Sequence, residues 1–181
     1  MDQKNIDSIT LGAGCFWCVE AVFQELKGVI QVESGYSNGD PKIRPSYHEV
    51  CSGNTGYVEV LKVSYDPDII SLETLLEVFW YTHDPTTLNR QGNDRGTQYR
   101  SGIYYNSEEQ NAIADKSRDR IEAEKIYPDP IVTEIVPLEN YFSAEQYHQE
   151  YYNQNMSNPY CTYVITPKVS KFRLRFKELM K

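Results

Sequence analysis

The chain lacks any run of apolar residues near the roughly 20 that a bilayer-spanning helix needs. Its opening, Met1-Asp2-Gln3-Lys4-Asn5, has nothing of the basic and apolar regions of a secretion signal. A cytoplasmic protein with no membrane association is the expectation. Four cysteines in 181 residues are too few for a disulfide scaffold, so each is better read as reactive, metal-binding or buried. Positive charge is also scarce. Lys and Arg number 18 against 26 Asp and Glu, a formal charge of −8, which argues against a general nucleic-acid binder. Repeats, low-complexity tracts and composition breaks are absent too, and at this length residues 1–181 are expected to fold as a single domain.

The charge that is present is unevenly placed. From Lys168 to Lys181 six basic residues accompany one acidic residue, so this tail carries +5 and the remainder −13. A basic tail docked on an acidic body is expected.

Ser8 to Leu11 reads as a short strand. After Gly12-Ala13-Gly14 comes a helical pattern of Phe16, Val19, Val22, Phe23 and Leu26, ended by Gly28. Val29 to Glu33 predicts a second strand running into a glycine turn over Gly35 to Gly39. Period-two alternation is clearest from Tyr57 to Tyr65, where Tyr57, Leu61, Val63 and Tyr65 share a face on which Glu59 also falls. Ser71 caps a helix bearing Leu72, Leu75, Leu76, Phe79 and Trp80, which Asp84-Pro85 stops. A long polar loop from Thr86 to Gln98 follows, of a length that tends to be functional. Further strands are expected at Tyr99 to Tyr105 and Ile131 to Val136, and helices after the capping boxes at Ser107 and Ser143. A last helical pattern runs from Val169 through Phe172 and Phe176 to Leu179. Strands and helices that mix without a strict βαβ repeat predict an α+β fold, a two-layer sandwich with long loops.

Cys15 stands at a strand-to-helix junction, where free backbone N–H groups and the helix dipole favour an anion, as a nucleophilic or redox thiol requires. Its plain alternative is a small buried hydrophobe. Glu59, on an apolar strand face, should be desolvated and hold its proton more tightly than usual; an ordinary charge at a strand end is the other reading. Phe16 is in phase with the apolar helix face and fits a core role, whereas Trp17 falls off that stripe. Cys15 and Cys18 form a C-x-x-C pair one helical turn apart, a spacing compatible with a disulfide.

Gly14-Cys15-Phe16-Trp17-Cys18-Val19-Glu20 resembles the signature of the A-type methionine sulfoxide reductases, and other blocks resemble that family in the same order. These are Ser46 to Gly56, Glu59, Arg90 to Arg100, Tyr147-His148-Gln149 and Asn158-Pro159-Tyr160-Cys161. The resemblance implies a mixed sheet with a split βαβ, ferredoxin-like core. It further implies that a Cys15 thiolate attacks the sulfur of the S epimer of methionine sulfoxide, free or in proteins, leaving a sulfenic acid that a second cysteine resolves as a disulfide. On the same basis Glu59 is the acid, Phe16 and Trp17 wall the methyl pocket, and Tyr47, Asp94 and Tyr99 bind the sulfoxide oxygen and a site water. Thioredoxin is the implied reductant, and no metal or cofactor is called for.

For the resolving role Cys161 is favoured, in a C-terminal segment around 155–181 that Asn158-Pro159 should make mobile. Cys18 competes with it as resolver or relay. Cys51 is expected to be a buried structural thiol. Two departures from many relatives stand out: Tyr57 replaces a histidine, and a basic tail of 20 residues follows Cys161. Of the rival readings, a general C-x-x-C thiol-disulfide oxidoreductase leaves Glu59 and the polar loop without a role. A zinc module lacks a second close ligand pair, and a noncatalytic interaction domain would show no thiol-dependent turnover. A monomer is the expected state.

Overall fold

Strand β1 (Asp7–Gly12) feeds α1 (Phe16–Phe23), and the chain returns through β2 (Val29–Ser37), α2 (Tyr47–Cys51) and β3 (Val58–Tyr65). Helix α3 (Leu72–Thr82), the small hairpin β4 (Arg90–Gln91) and β5 (Asp94–Arg95), and β6 (Gly102–Tyr105) come next. The remainder is α4 (Glu108–Ala123), β7 (Glu134–Pro137), β8 (Tyr141–Ser143), α5 (Tyr151–Gln154) and α6 (Thr166–Arg175). This computed structural model describes residues 4–181.

The main sheet has the order β7-β6-β1-β3-β2-β8. Its inner four strands are antiparallel neighbours, and β3 lies between β1 and β2, which α1 connects. That is the split βαβ arrangement, built twice through α1 and α3. Strand β7 joins parallel to β6 at one edge and β8 antiparallel to β2 at the other, so the sheet is mixed. Alternation along β3 sorts the two faces. Leu61, Val63 and Tyr65 enter the main core with α1, α3 and α6, while Val58 and Val60 join Tyr104 in a smaller cluster on the opposite face.

Local signals explain most element ends. Ser71 accepts the Thr74 N–H at 3.1 Å, and Ser107 accepts that of Gln110 at 3.2 Å. Elsewhere the structure departs from expectation. Strand β2 runs on through Gly35 to Ser37 where a turn was expected, because β8 pairs there. The Tyr141 ring and the Phe142 carbonyl approach to 2.6 and 2.7 Å of where a Gly35 Cβ would sit, so the glycine permits close packing within a strand. Ser143 closes β8 and opens only a three-residue 3₁₀ turn, Gln146–His148. The reason is tertiary: Glu145 is drawn across to the Tyr36 hydroxyl and the Tyr47 N–H, at 2.9 and 3.1 Å. Tyr99 ends a 3₁₀ turn rather than starting a strand, and β7 begins at Glu134 rather than Ile131.

The basic tail docks as its charge suggests. Arg173 grips Glu25 with two nitrogens at 2.5 and 3.1 Å, and the Lys27 and Lys181 N–H groups reach Leu179 and Glu25 carbonyls at 2.8 Å each. No helix among the described residues is long and apolar enough to cross a membrane.

Candidate active site

The turn from β1 into α1 decides where the thiol sits. Gly14 has φ +86°, and the Gln91 side chain lies 2.7 Å from where its Cβ would be, so only glycine allows the polar loop to press on this turn. Gln91 is held there by both of its amide atoms, each 2.9 Å from the Asp84 backbone. Cys15 then occupies the N-cap position of α1, and its carbonyl accepts the Cys18 N–H at 3.1 Å.

The structure brings Cys15, Phe16, Trp17, Cys18, Tyr47, Glu59, Asp94 and Tyr99 to one place. Glu59 is 1% exposed on β3, and its Oε1 accepts the Phe16 N–H at 3.2 Å. Burial pushes its pKa up to about 8, against which that single donor is too little. A pKa of about 8 favours the protonated form of Glu59 at neutral pH, and its carboxyl contacts the backbone N–H of Phe16, the residue that follows Cys15. Tyr47 and Tyr99 are also raised by burial, and both feel the charges of Cys51 and Glu59. Asp94, on β5, accepts from the Tyr160 hydroxyl at 2.9 Å.

Burial also raises Cys15 well above the ordinary thiol range, reinforced by its hydrogen bond with Cys18 and by the Cys18 and Glu59 charges. The helix N-terminus alone does not set its ionisation, contrary to the simple expectation from position. The Cys18 thiol is lowered to about 7 by the Cys15 hydrogen bond, with Lys168 helping.

Phe16 is fully buried, with its ring centroid 5.2 Å from His148, 5.7 Å from Tyr36 and 6.5 Å from Tyr47. Trp17, half-buried, lies flat on Tyr151 at 3.7 Å and 8° and donates its indole N–H to His148 Nδ1 at 3.1 Å. These rings form an apolar wall beside the sulfur, suited to a thioether methyl.

Cys161 lies in a helical segment and not in a turn. It is fully buried at the start of a π-helical segment, Cys161–Ile165, that runs into α6, and the neighbouring charge that raises it is that of Cys18. Tyr160, next to it, sets its hydroxyl 3.8 Å from Cys18 Sγ. Cys51, expected to be buried, is exposed at the end of α2, where its thiol meets Tyr47. All four cysteines are free thiols. Tyr57 packs in one cluster with Phe16 and donates to the Ile43 and Asp40 carbonyls at 2.7 and 3.1 Å. Its role is to staple that loop.

Sequence reasoning gave no role to His148, Tyr151, Tyr160 or the buried Glu20. His148 and Tyr160 sat inside blocks already singled out, but Tyr151 was one of 15 tyrosines with no pattern to mark it.

The comparisons agree with this geometry. A family model described as peptide methionine sulfoxide reductase matches residues 7–180. A protein of Trichodesmium erythraeum named peptide methionine sulfoxide reductase MsrA is 51% identical over 96% of this chain and 97% of its own length. Among solved structures, reduced Mxr1 from Saccharomyces cerevisiae superposes with a TM-score of 0.82 at 37% identity, over 88% of this chain and 91% of that one. Mxr1 in complex with Trx2 matches with a TM-score of 0.58 at 26% identity, over 83% and 87% of the two chains. Because the family model spans residues 7–180 and the Trichodesmium protein and reduced Mxr1 are matched over more than nine-tenths of their length, and because a buried thiol, a buried carboxyl and an aromatic wall meet in one place, the chain belongs to the peptide methionine sulfoxide reductase family and is an oxidoreductase that reduces methionine sulfoxide.

Proposed function

We propose that this reduction runs through Cys15, with Glu59 as the acid, on the S epimer of methionine sulfoxide. The observation that carries the assignment is the hydrogen bond from the Phe16 N–H to a buried, protonated Glu59. It aligns an acid with the residue that follows the nucleophile. The substrate methyl packs against Phe16 and Trp17, and the oxygen faces Glu59, Tyr47 and Tyr99, with Asp94 bordering the site. Such a pocket accepts one hand at sulfur.

In the first step the Cys15 sulfur attacks the sulfoxide sulfur and its proton passes along the hydrogen bond to Cys18. The oxygen takes the Glu59 proton and passes to the Cys15 sulfur as a sulfenic acid, the new bond between the two sulfurs and the bond from oxygen to the substrate sulfur both break, and methionine leaves with the electron pair that makes it a thioether. Cys18 then attacks the Cys15 sulfur, releasing water and forming a disulfide. Its contact with Cys15 supports Cys18 as first resolver. Cys161, which feels the Cys18 charge, takes over the disulfide from Cys18 and restores Cys15.

An external dithiol closes the cycle. Thioredoxin fits that part, since yeast Mxr1 has been seen with Trx2. The enzyme works as a single-domain monomer in the cytoplasm, on free or protein-bound substrate. The test offers both epimers of a methionine sulfoxide peptide with thioredoxin and its reductase. Consumption of the S epimer alone is expected, with Cys15→Ser inactive even in dithiothreitol. Equal loss of both epimers, or an active Cys15→Ser, would overturn the assignment.

A further inference from the structure

Glu20 is a carboxyl with no evident reason to be buried. It lies on α1 one turn beyond Trp17, is 1% exposed, and has no cation beside it. Its Oε2 accepts the Ser34 hydroxyl at 3.4 Å, while Oε1 closes no hydrogen bond of good geometry. Burial pushes its pKa up to about 7, opposed by the nearby backbone N–H groups of Tyr151 and Glu150. Burying an acidic oxygen without a hydrogen-bond partner costs stability.

The segment it faces is the one that builds the aromatic wall. Residues 148–151 hold two partners of Trp17: His148, which accepts the indole N–H at 3.1 Å, and Tyr151, stacked on the ring at 3.7 Å. Between them Glu150 adopts a left-handed conformation with φ +53°, which a residue with a side chain keeps only when its surroundings hold it. Gln149 ties this turn to β2, with its amide oxygen taking the Ser34 N–H and its amide nitrogen reaching the Ser34 carbonyl, both at 2.9 Å. Ser34 thus binds Gln149 through its backbone and Glu20 through its hydroxyl.

We infer that Glu20 is a positioning residue for substrate binding: from α1 it clamps the 148–151 turn so that Tyr151 and His148 fix the Trp17 ring as a wall of the sulfoxide site. This rests on the reading of Trp17 as part of that wall. Glu20 touches neither substrate nor sulfur and acts through the turn. Loosening the turn frees the indole, so the loss falls on binding more than on the chemical step.

The experiment uses the full chain with Glu20→Leu and the conservative Glu20→Gln, each checked by thermal unfolding. Trp17 emission is isolated as the difference between each variant and the same variant carrying Trp17→Phe. Glu20→Leu is expected to change that emission and its quenching by acrylamide. It should also raise KM for methionine sulfoxide roughly tenfold in dithiothreitol, the upper range of a lost sulfur–aromatic contact, with kcat within about threefold. Glu20→Gln, which keeps one acceptor, should restore part of both, and it carries the test if the leucine variant fails to fold. Unchanged Trp17 emission in a folded variant, or a fall in kcat with KM unmoved, would overturn the inference. Trp17→Ala serves as the reference for the underlying reading. If it leaves KM unchanged, the fault lies in Trp17 as a wall; if it raises KM while Glu20→Leu does not, the fault lies in Glu20.

Discussion

A carboxyl sealed beside one backbone N–H, with no cation in reach, keeps its proton, and at Glu59 that shifts the chemistry toward acid catalysis. Single-turnover reduction should rise as Cys18 ionises at about 7 and can accept the Cys15 proton, and fall as pH rises through about 8, where Glu59 loses its proton. Glu59→Gln should remove that limb and slow the step by roughly 100-fold with substrate affinity kept; a normal rate would take Glu59 out of the mechanism. The same proton affects stability. Glu59 at about 8 and Glu20 at about 7 are raised above the unfolded 4.5, so folding binds protons there. Their contribution is full below pH 4.5 and is lost as pH rises through 7 and 8. His83, buried and lowered from 6.5 to about 4, works the other way, adding stability as pH rises through that lower window. Urea titrations should therefore show wild type losing stability relative to Glu59→Gln between about pH 5 and 9, and parallel curves would contradict the raised pKa. Glu59 was legible in the sequence because alternation put an acid on an apolar face. Glu20 closed the Gly14 to Glu20 block without being given a role, since nothing in the sequence shows the backbone turn that it faces.

At the scale of elements, the junction between β1 and α1 combines several requirements in three residues. Gly14→Ala would force a side chain into a left-handed backbone and against Gln91 at 2.7 Å. The backbone part alone costs about 1–2 kcal/mol, and relief of the clash must move either Cys15 or the loop that carries Asp94. A lowered melting temperature with a disproportionate loss of activity is expected, and full activity at the lower melting temperature would show that the turn does not set the thiol. Elements whose ends are written in local chemistry could be read from the sequence: the caps at Ser71 and Ser107, and the stop before Asp84-Pro85. Those decided by distant partners could not. Gly35 resembles a turn glycine until β8 is seen beside it, and the apparent helix start at Ser143 is overridden when Glu145 reaches to Tyr36 and Tyr47.

Across the whole molecule, the proposed order of the cysteines rests on how Cys15, Cys18 and Cys161 pack, which spacing in the chain does not reveal. With Cys18 between Cys15 and Cys161, both Cys18→Ser and Cys161→Ser should give one methionine per enzyme in a single turnover. They should differ after it: Cys18→Ser should accumulate sulfenic acid on Cys15, and Cys161→Ser a Cys15 to Cys18 disulfide that mass spectrometry can identify. A Cys15 to Cys161 bond formed promptly in Cys18→Ser would reverse that order. The segment around Cys161 is also not the loose end that Asn158-Pro159 suggested, because beyond α6 the chain is tied back to Glu25 and Lys27. A strand of rope fixed at its far end gains reach only by untwisting. The π-helical stretch Cys161–Ile165 is where this chain is underwound, holding one residue more per hydrogen-bonded turn than an α-helix. Rewinding it by that one residue would swing Cys161 through about 100° around the helix axis, without releasing the tail. Hydrogen exchange should then differ between dithiol and disulfide forms over residues 161–165 and stay alike at the C-terminus; loss of protection along the whole tail would mean that the anchor, rather than the winding, gives way.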